Sequence, residues 1–156
     1  MAKVRIAFFT IHLLISGLVS GCATHSSGTS GAGSANHQTS STTVVENYLA
    51  ALNRRDLLAL TLYLTPDVEW YSALDGERIL EVSGREELKQ MLTRFFSDHE
   101  RTLWTPERIE AVENFVAVIE RSQWSEGSRM ESRDSLGVYE LDSGRIRRIT
   151  YFLNGH

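Results

Sequence analysis

Few side chains in this chain are placed to do chemistry. Arg121 is a cation in an apolar strand segment, between Ile119 and Gln123. A guanidinium in such a setting needs a carboxylate, a carbonyl cage or an anionic ligand group. Glu69, Glu120 and Asp134 are the carboxylates that could partner it. A carboxylate held beside a cation can act as a general base, so Arg121 with Asp134 or Glu69 is a candidate catalytic set. Asp134 would serve if its strand were shifted by one residue. Arg145, Arg147 and Arg148 form a basic cluster. Strand alternation splits them between faces, and a salt-bridged edge is expected there rather than an anion site. His25 and His37 lie far apart in a Ser/Gly/Thr segment, and His99 ends an apolar helix stripe. None has metal-ligand spacing, so neither a metal site nor a cofactor is expected.

The elements that must position these groups follow from the hydrophobic pattern. Thr43-Val44-Val45-Glu46 is a capping box, and Val44, Val45, Tyr48, Leu49 and Leu52 follow at helical spacing. A helix over Thr43–Asn53 is predicted. Asp56 can cap a second helix, Leu57–Leu64, ended at Thr65-Pro66. Asp67–Ser72 reads as a strand and Leu74–Glu77 as a turn. Ser83-Gly84 opens a third helix to about His99, with Leu88, Met91, Leu92, Phe95 and Phe96 on one face. Arg101–Thr105 is extended and Pro106 interrupts it. Ile109–Arg121 (with a turn near Glu113-Asn114), Ser128–Leu141 and Arg145–Leu153 then read as hairpin-connected strands. Ser125-Glu126-Gly127 and Asp142-Ser143-Gly144 separate them. The fold class is α+β: three N-terminal helices packed on a curved antiparallel sheet.

A length of 156 residues fits one domain. Residues 1–21 read as a secretory signal. Lys3 and Arg5 precede the apolar run Ile6–Leu18, which is too short for a good membrane span. The run ends in Val19-Ser20-Gly21-Cys22, which resembles the bacterial lipobox: a hydrophobic residue, two small ones, then cysteine. That resemblance implies diacylglycerol transfer to the Cys22 sulfur, cleavage before Cys22 and acylation of the new amine. The expected location is the bacterial cell envelope, lipid-anchored to a membrane on its periplasmic side. Cys22 is also the only cysteine, so no internal disulfide is available. Residues 22–42 have almost no apolar mass and read as a flexible tether. The folded unit is then 43–156. Removing Lys3 and Arg5 leaves 14 basic residues against 20 acidic, a net charge of −6. A mildly acidic domain argues against a nucleic-acid partner.

Taken in order, the elements resemble the nuclear transport factor 2-like superfamily, which includes SnoaL-like proteins. Three pieces carry the likeness. They are Tyr48-Leu49-Ala50-Ala51-Leu52-Asn53 with Asp56 and Leu64–Trp70; Gly84-Arg85-Glu86-Glu87-Leu88; and Gly137–Leu141 with Gly144-Arg145-Ile146 and Tyr151-Phe152. The resemblance implies a cone-shaped fold with a pocket lined by Tyr48, Trp70, Leu92, Phe95, Ile119, Arg121, Gln123, Ile149 and Tyr151. It puts Phe115, Ala117, Ile119, Arg121 and Gln123 on the cavity side. It also implies an outer sheet face, carrying Trp124, Tyr139 and Phe152, that can form a homodimer.

Two enzyme branches are similar in pattern. Limonene-1,2-epoxide hydrolases use an Asp-Arg-Asp set with a Tyr and an Asn. Here Arg121 matches the Arg, Gln123 and Tyr151 stand at the two Asp positions, and Trp70 and Ser72 stand for the Tyr and Asn. An amide and a phenol cannot supply the base and acid that epoxide opening needs. Steroid delta-isomerases have an oxyanion Tyr matched by Tyr48. Their proton-shuttling Asp falls at Trp70, and their protonated Asp falls near Leu136 or Gly137. The leading reading is a binder of a small, mostly apolar molecule. The alternatives are a hydrolase or isomerase with a non-standard set, and a non-catalytic interaction domain.

The lipid anchor is directly testable. Cys22→Ala should shift the protein from the membrane to the soluble fraction of a bacterial host and abolish labelling by a palmitate analogue. Unchanged labelling would exclude the anchor.

Overall fold

The computed structural model describes residues 32–99, 102–126 and 128–152. Cys22 and the whole of 1–31 lie outside the described residues. Helix α1 (Ala32–Asn53) buries Val45, Tyr48, Leu49 and Leu52 along one stripe. It begins well before Thr43, so Thr43 is inside the helix and caps nothing. Docking of the Val45–Leu52 stripe supplies the helix nucleus. Each residue added on the N-terminal side then costs little, and no proline interrupts 32–42. Part of the segment read as tether is therefore helical.

Helix α2 (Leu57–Leu62) has the expected cap, the Asp56 carboxylate accepting from the Ala59 N–H at 2.9 Å. It stops short of Leu64, because Leu64 already belongs to strand β1 (Leu64–Leu74). Pro66 is tolerated within β1 because the strand's pairing is irregular between Leu64 and Glu69. Strand β2 (Glu77–Ser83) was not legible as a strand, since its residues do not alternate cleanly. It is set by the Asp75-Gly76 turn, where φ of 52° and 83° matches the two-residue hairpin geometry that follows strand twist. Helix α3 (Arg85–Asp98) buries Leu88, Met91, Leu92, Phe95 and Phe96, as its periodicity predicts.

Four strands complete the chain: β3 (Leu103–Val112), β4 (Phe115–Glu126), β5 (Arg129–Asp142) and β6 (Arg145–Phe152). Pro106 does not end β3 but sits at a bulge before Arg108. The six strands form one sheet in the order β2-β1-β6-β5-β4-β3. Strand β6 returns to lie between β5 and β1, and it runs parallel to β1. The sheet is thus mixed rather than antiparallel throughout. The long connection through α3 and four strands, β2 to β5, makes that parallel pair possible.

The helices cover the inner face of the sheet, and two polar clamps fasten them. Asn53 donates to the Trp104 carbonyl at 2.7 Å and accepts from the Trp104 N–H at 2.8 Å, tying the end of α1 to β3. Arg55 donates to the carbonyls of Phe96 and His99, both at 2.9 Å, closing the end of α3. Asn53→Ala strands both backbone groups of Trp104. It should lower stability by roughly 1–3 kcal/mol, with an unchanged urea m-value.

Candidate functional site

Strand alternation fixes which β4 side chains look inward. Val116, Val118 and Glu120 are fully buried against the helices. Phe115, Ala117, Ile119, Arg121 and Gln123 therefore point to the outer face, opposite to the orientation the family resemblance implied. Ile119 is 37% exposed, whereas Glu120 is 0% exposed. A one-residue difference in facing reverses every side chain of a strand, so this correction moves Ile119, Arg121 and Gln123 out of the pocket set together. The remaining members, Tyr48, Trp70, Leu92, Phe95, Ile149 and Tyr151, are all buried on the inner side.

In place of Arg121 the polar focus is Glu120. Its Oε1 is hydrogen-bonded to the Tyr139 hydroxyl on β5, and its Oε2 to the Tyr151 hydroxyl on β6 at 2.9 Å. The two phenol oxygens are themselves 2.9 Å apart. Trp70 packs on Tyr151 with ring centres at 5.3 Å, and Tyr48 meets Tyr139 edge to face at 5.9 Å. Tyr139, which the sequence placed on the outer face, is thus wholly inside. Gly137 makes room for the acid. A Cβ there would lie 2.6 Å from Glu120 Oε1. The isomerase comparison put a protonated carboxyl near Leu136 or Gly137. Leu136 faces outward opposite Ile119, and the carboxyl at Gly137 is supplied by the neighbouring strand.

Burial pushes the Glu120 carboxyl up to about 7, partly offset by the hydrogen bonds from Tyr139 and Tyr151. A proton count agrees. Three oxygen contacts join Glu120, Tyr139 and Tyr151, and the two phenols supply only two hydrogens. A neutral Glu120 supplies the third, its O–H donating to one phenol, that phenol to the other, and the second phenol to the free carboxyl oxygen. Burial also raises the Tyr48 phenol, and the Glu120 charge raises it further. The Tyr48 hydroxyl and Thr65 Oγ1 are, among the described residues, the buried side-chain polar atoms without a hydrogen-bond partner. The site is therefore a neutral acid and two phenols satisfied by one another, beside one phenol with its donor unspent.

Arg121 and Asp134 do come together, directly opposite in the β4–β5 register and without a shift. Their bidentate pair, at 2.9 and 3.2 Å, lies on the outer face with Glu107 joining at 3.2 Å. The Arg121 hydrogen bonds hold the Asp134 carboxyl below its ordinary range, so it is a poor base. Glu69 is taken by Arg148 at 2.9 Å. Arg148 also reaches Glu140, as does Arg147, because the irregularity opposite Glu140-Leu141 leaves Arg147 as an extra residue. Arg147 and Arg148 are thus salt-bridged, but they share one face and lie on an interior strand, where alternation had been expected to split them at an edge. No group of metal-ligating side chains occurs among the described residues.

Residues 45–149 match the model of the SnoaL-like domain family, and the chain belongs to that family. No curated protein sequence matches it. Among solved structures it is similar to an epoxide hydrolase of M. tuberculosis described as LEH-like. That likeness is 24% identical with a TM-score of 0.61, over 75% of this chain and 84% of the other. It is also similar to a ketosteroid isomerase candidate from Kribbella flavida, 19% identical with a TM-score of 0.61, over 76% and 81% of the two chains. A third is TerC, co-crystallised with polyporic acid, 16% identical with a TM-score of 0.62, over 74% and 92%. At these identities the likeness is one of fold: nuclear transport factor 2-like.

Glu120 predicts an unusual pH dependence. The folded protein keeps this proton up to about 7, while the unfolded chain releases it near 4.5. Stability from this group is complete below the lower value and falls as pH rises toward the higher one, by on the order of 3 kcal/mol in all. Urea unfolding of wild type and Glu120→Gln across this range should show the decline in wild type alone.

Proposed function

We propose that this is a membrane-tethered SnoaL-like domain that binds a small, mostly apolar molecule bearing an acceptor oxygen. The observation that carries the reading is the Tyr48 hydroxyl: wholly buried, unpartnered and set against an apolar aromatic wall. Leaving such a donor unmade costs roughly 1–3 kcal/mol, which a ligand oxygen would return. Rings and aliphatic side chains from α1, α3, β1 and β6 would take the rest of the molecule. Polyporic acid with TerC is a precedent for such a ligand in the same fold. Entry requires the inner side chains to part, since Tyr48 and Tyr139 are closed over. Cys22 would hold the domain at the periplasmic side of a membrane, where apolar molecules concentrate.

A catalytic reading has one observation in its favour. Glu120, poised at about 7, could give or take a proton near neutrality. A second carboxylate would be needed for base-and-acid work, and among the described residues Glu120 is the one fully buried acid. Binding is therefore preferred. A second copy could dock on the outer face, where Phe115, Ile119 and Phe152 are exposed around half-buried Leu136 and Val138.

Native mass spectrometry of the purified protein should show a copurified small molecule. Tyr48→Phe keeps the ring and removes the donor, so it should weaken retention about tenfold while leaving folding intact. Equal retention by wild type and Tyr48→Phe would remove the proposed anchor. Turnover of limonene oxide or of a β,γ-unsaturated ketosteroid would favour the catalytic reading instead.

A further inference from the structure

We infer that Glu120, Tyr139 and Tyr151 form a proton-gated latch: the inner face is closed while the three share three protons, and it loosens when one leaves. The inference requires no ligand and stands apart from the binding reading. Its basis is geometric. The carboxyl and the two phenol oxygens close a ring across β4, β5 and β6, and with the carboxyl protonated each contact takes one hydrogen when Glu120 donates to one phenol, that phenol to the other, and the second phenol back to the free carboxyl oxygen. When the carboxyl proton passes to water, three contacts are left with two hydrogens. Both are drawn to the carboxylate, and the phenol oxygens of Tyr139 and Tyr151 then face each other with no hydrogen between them.

Among the described residues no cation is paired with Glu120. The titratable groups facing Glu120 are Tyr139 from β5, Tyr151 from β6 and Tyr48 from α1. Strand β1 offers Trp70, which packs on Tyr151. Of the arginines on these strands, Arg121, Arg147 and Arg148 are engaged on the outer face by Asp134, Glu140 and Glu69, while Arg133, two residues along β5 from the position opposite Glu120 and on the same face, has an interaction of its own. An ionised carboxylate in such a place must either recruit donors or reach water. Tyr48 holds the unspent hydrogen nearest in kind, so it is the reserve donor, and turning it toward Glu120 couples α1 to the protonation of the sheet. Burial sets the carboxyl near 7, which places the release of the latch at a pH that an envelope protein meets.

The test is a titration of the full-length chain labelled with ¹³C at glutamate carboxyls and tyrosine ring carbons, from about pH 5 to about pH 9. The Glu120 signal is the one missing from Glu120→Gln. If that variant does not fold, it is the glutamate signal that moves with the tyrosine rings. One carboxyl should titrate near neutrality, with the Tyr139 and Tyr151 rings shifting at the same midpoint. Amide exchange in β5 and β6 should quicken across it beyond the ordinary base-catalysed rise. Tyr48→Phe should move the midpoint to higher pH, because the ionised state loses its reserve donor. A Glu120 midpoint in the ordinary carboxylate range, or tyrosine rings that do not respond to it, would overturn the latch. An unmoved midpoint in Tyr48→Phe would overturn the role of Tyr48.

Discussion

The constraint on which this structure depends is the burial of one carboxyl. Glu120 sits at the centre of the sheet's inner face, cut off from water, with only phenols for company. A lone carboxylate in such a place is untenable, so the surroundings must supply donors, keep the proton, or both. They do both. Tyr139 and Tyr151 come from the two strands beyond β4, so a single hydrogen-bonded ring staples three neighbouring strands from the inside. Gly137 is part of the same solution, because any larger side chain would occupy the space of the carboxyl.

Once Glu120 is committed inward, the charges of the adjacent residues have only one place to go. Arg121 must face outward, and it meets Asp134 directly across the ladder. The same division holds at the other end of the sheet, where Arg147 and Arg148 share Glu140 and Arg148 also bonds Glu69. The outer face is thus laced by ion pairs around an apolar centre, and the inner face is aromatic and nearly uncharged. Exposed pairs of this kind add little stability singly, and their consequence here is to fix strand orientation.

This arrangement separates the protein from the enzyme branches it resembles in fold. The arginine that matched the epoxide hydrolase pattern is on the wrong side of the sheet to meet a substrate in the cone. The isomerase comparison fares differently. Tyr48 stands in α1 on the inner side, and a protonated carboxyl stands at Gly137, although it arrives from the adjacent strand. Tyr48 brings one unspent donor, the Glu120 carboxyl is satisfied by Tyr139 and Tyr151, and Trp70 holds the place of the aspartate base.

Periodicity and turn chemistry alone determined the three helices, the β4–β5–β6 meander and the Asp56 cap, because each rests on neighbours within a few residues. The likeness to nuclear transport factor 2-like proteins followed from their order. Strand β2 and the parallel β1–β6 pair were out of reach, since an irregular edge strand and a long crossover carry no local signal. The facing of β4 was decided by tertiary structure. Phe115–Gln123 alternates acceptably in either sense, and a sequence reading prefers to send the apolar Ile119 inward and the charged Glu120 outward. Only the neighbouring strands reverse that preference: Tyr139 and Tyr151 bring hydroxyls to the carboxyl, and Gly137 leaves it space. The one local hint was a glycine inside a strand, a place where another group approaches closely. Which group approaches could be learned only from the register.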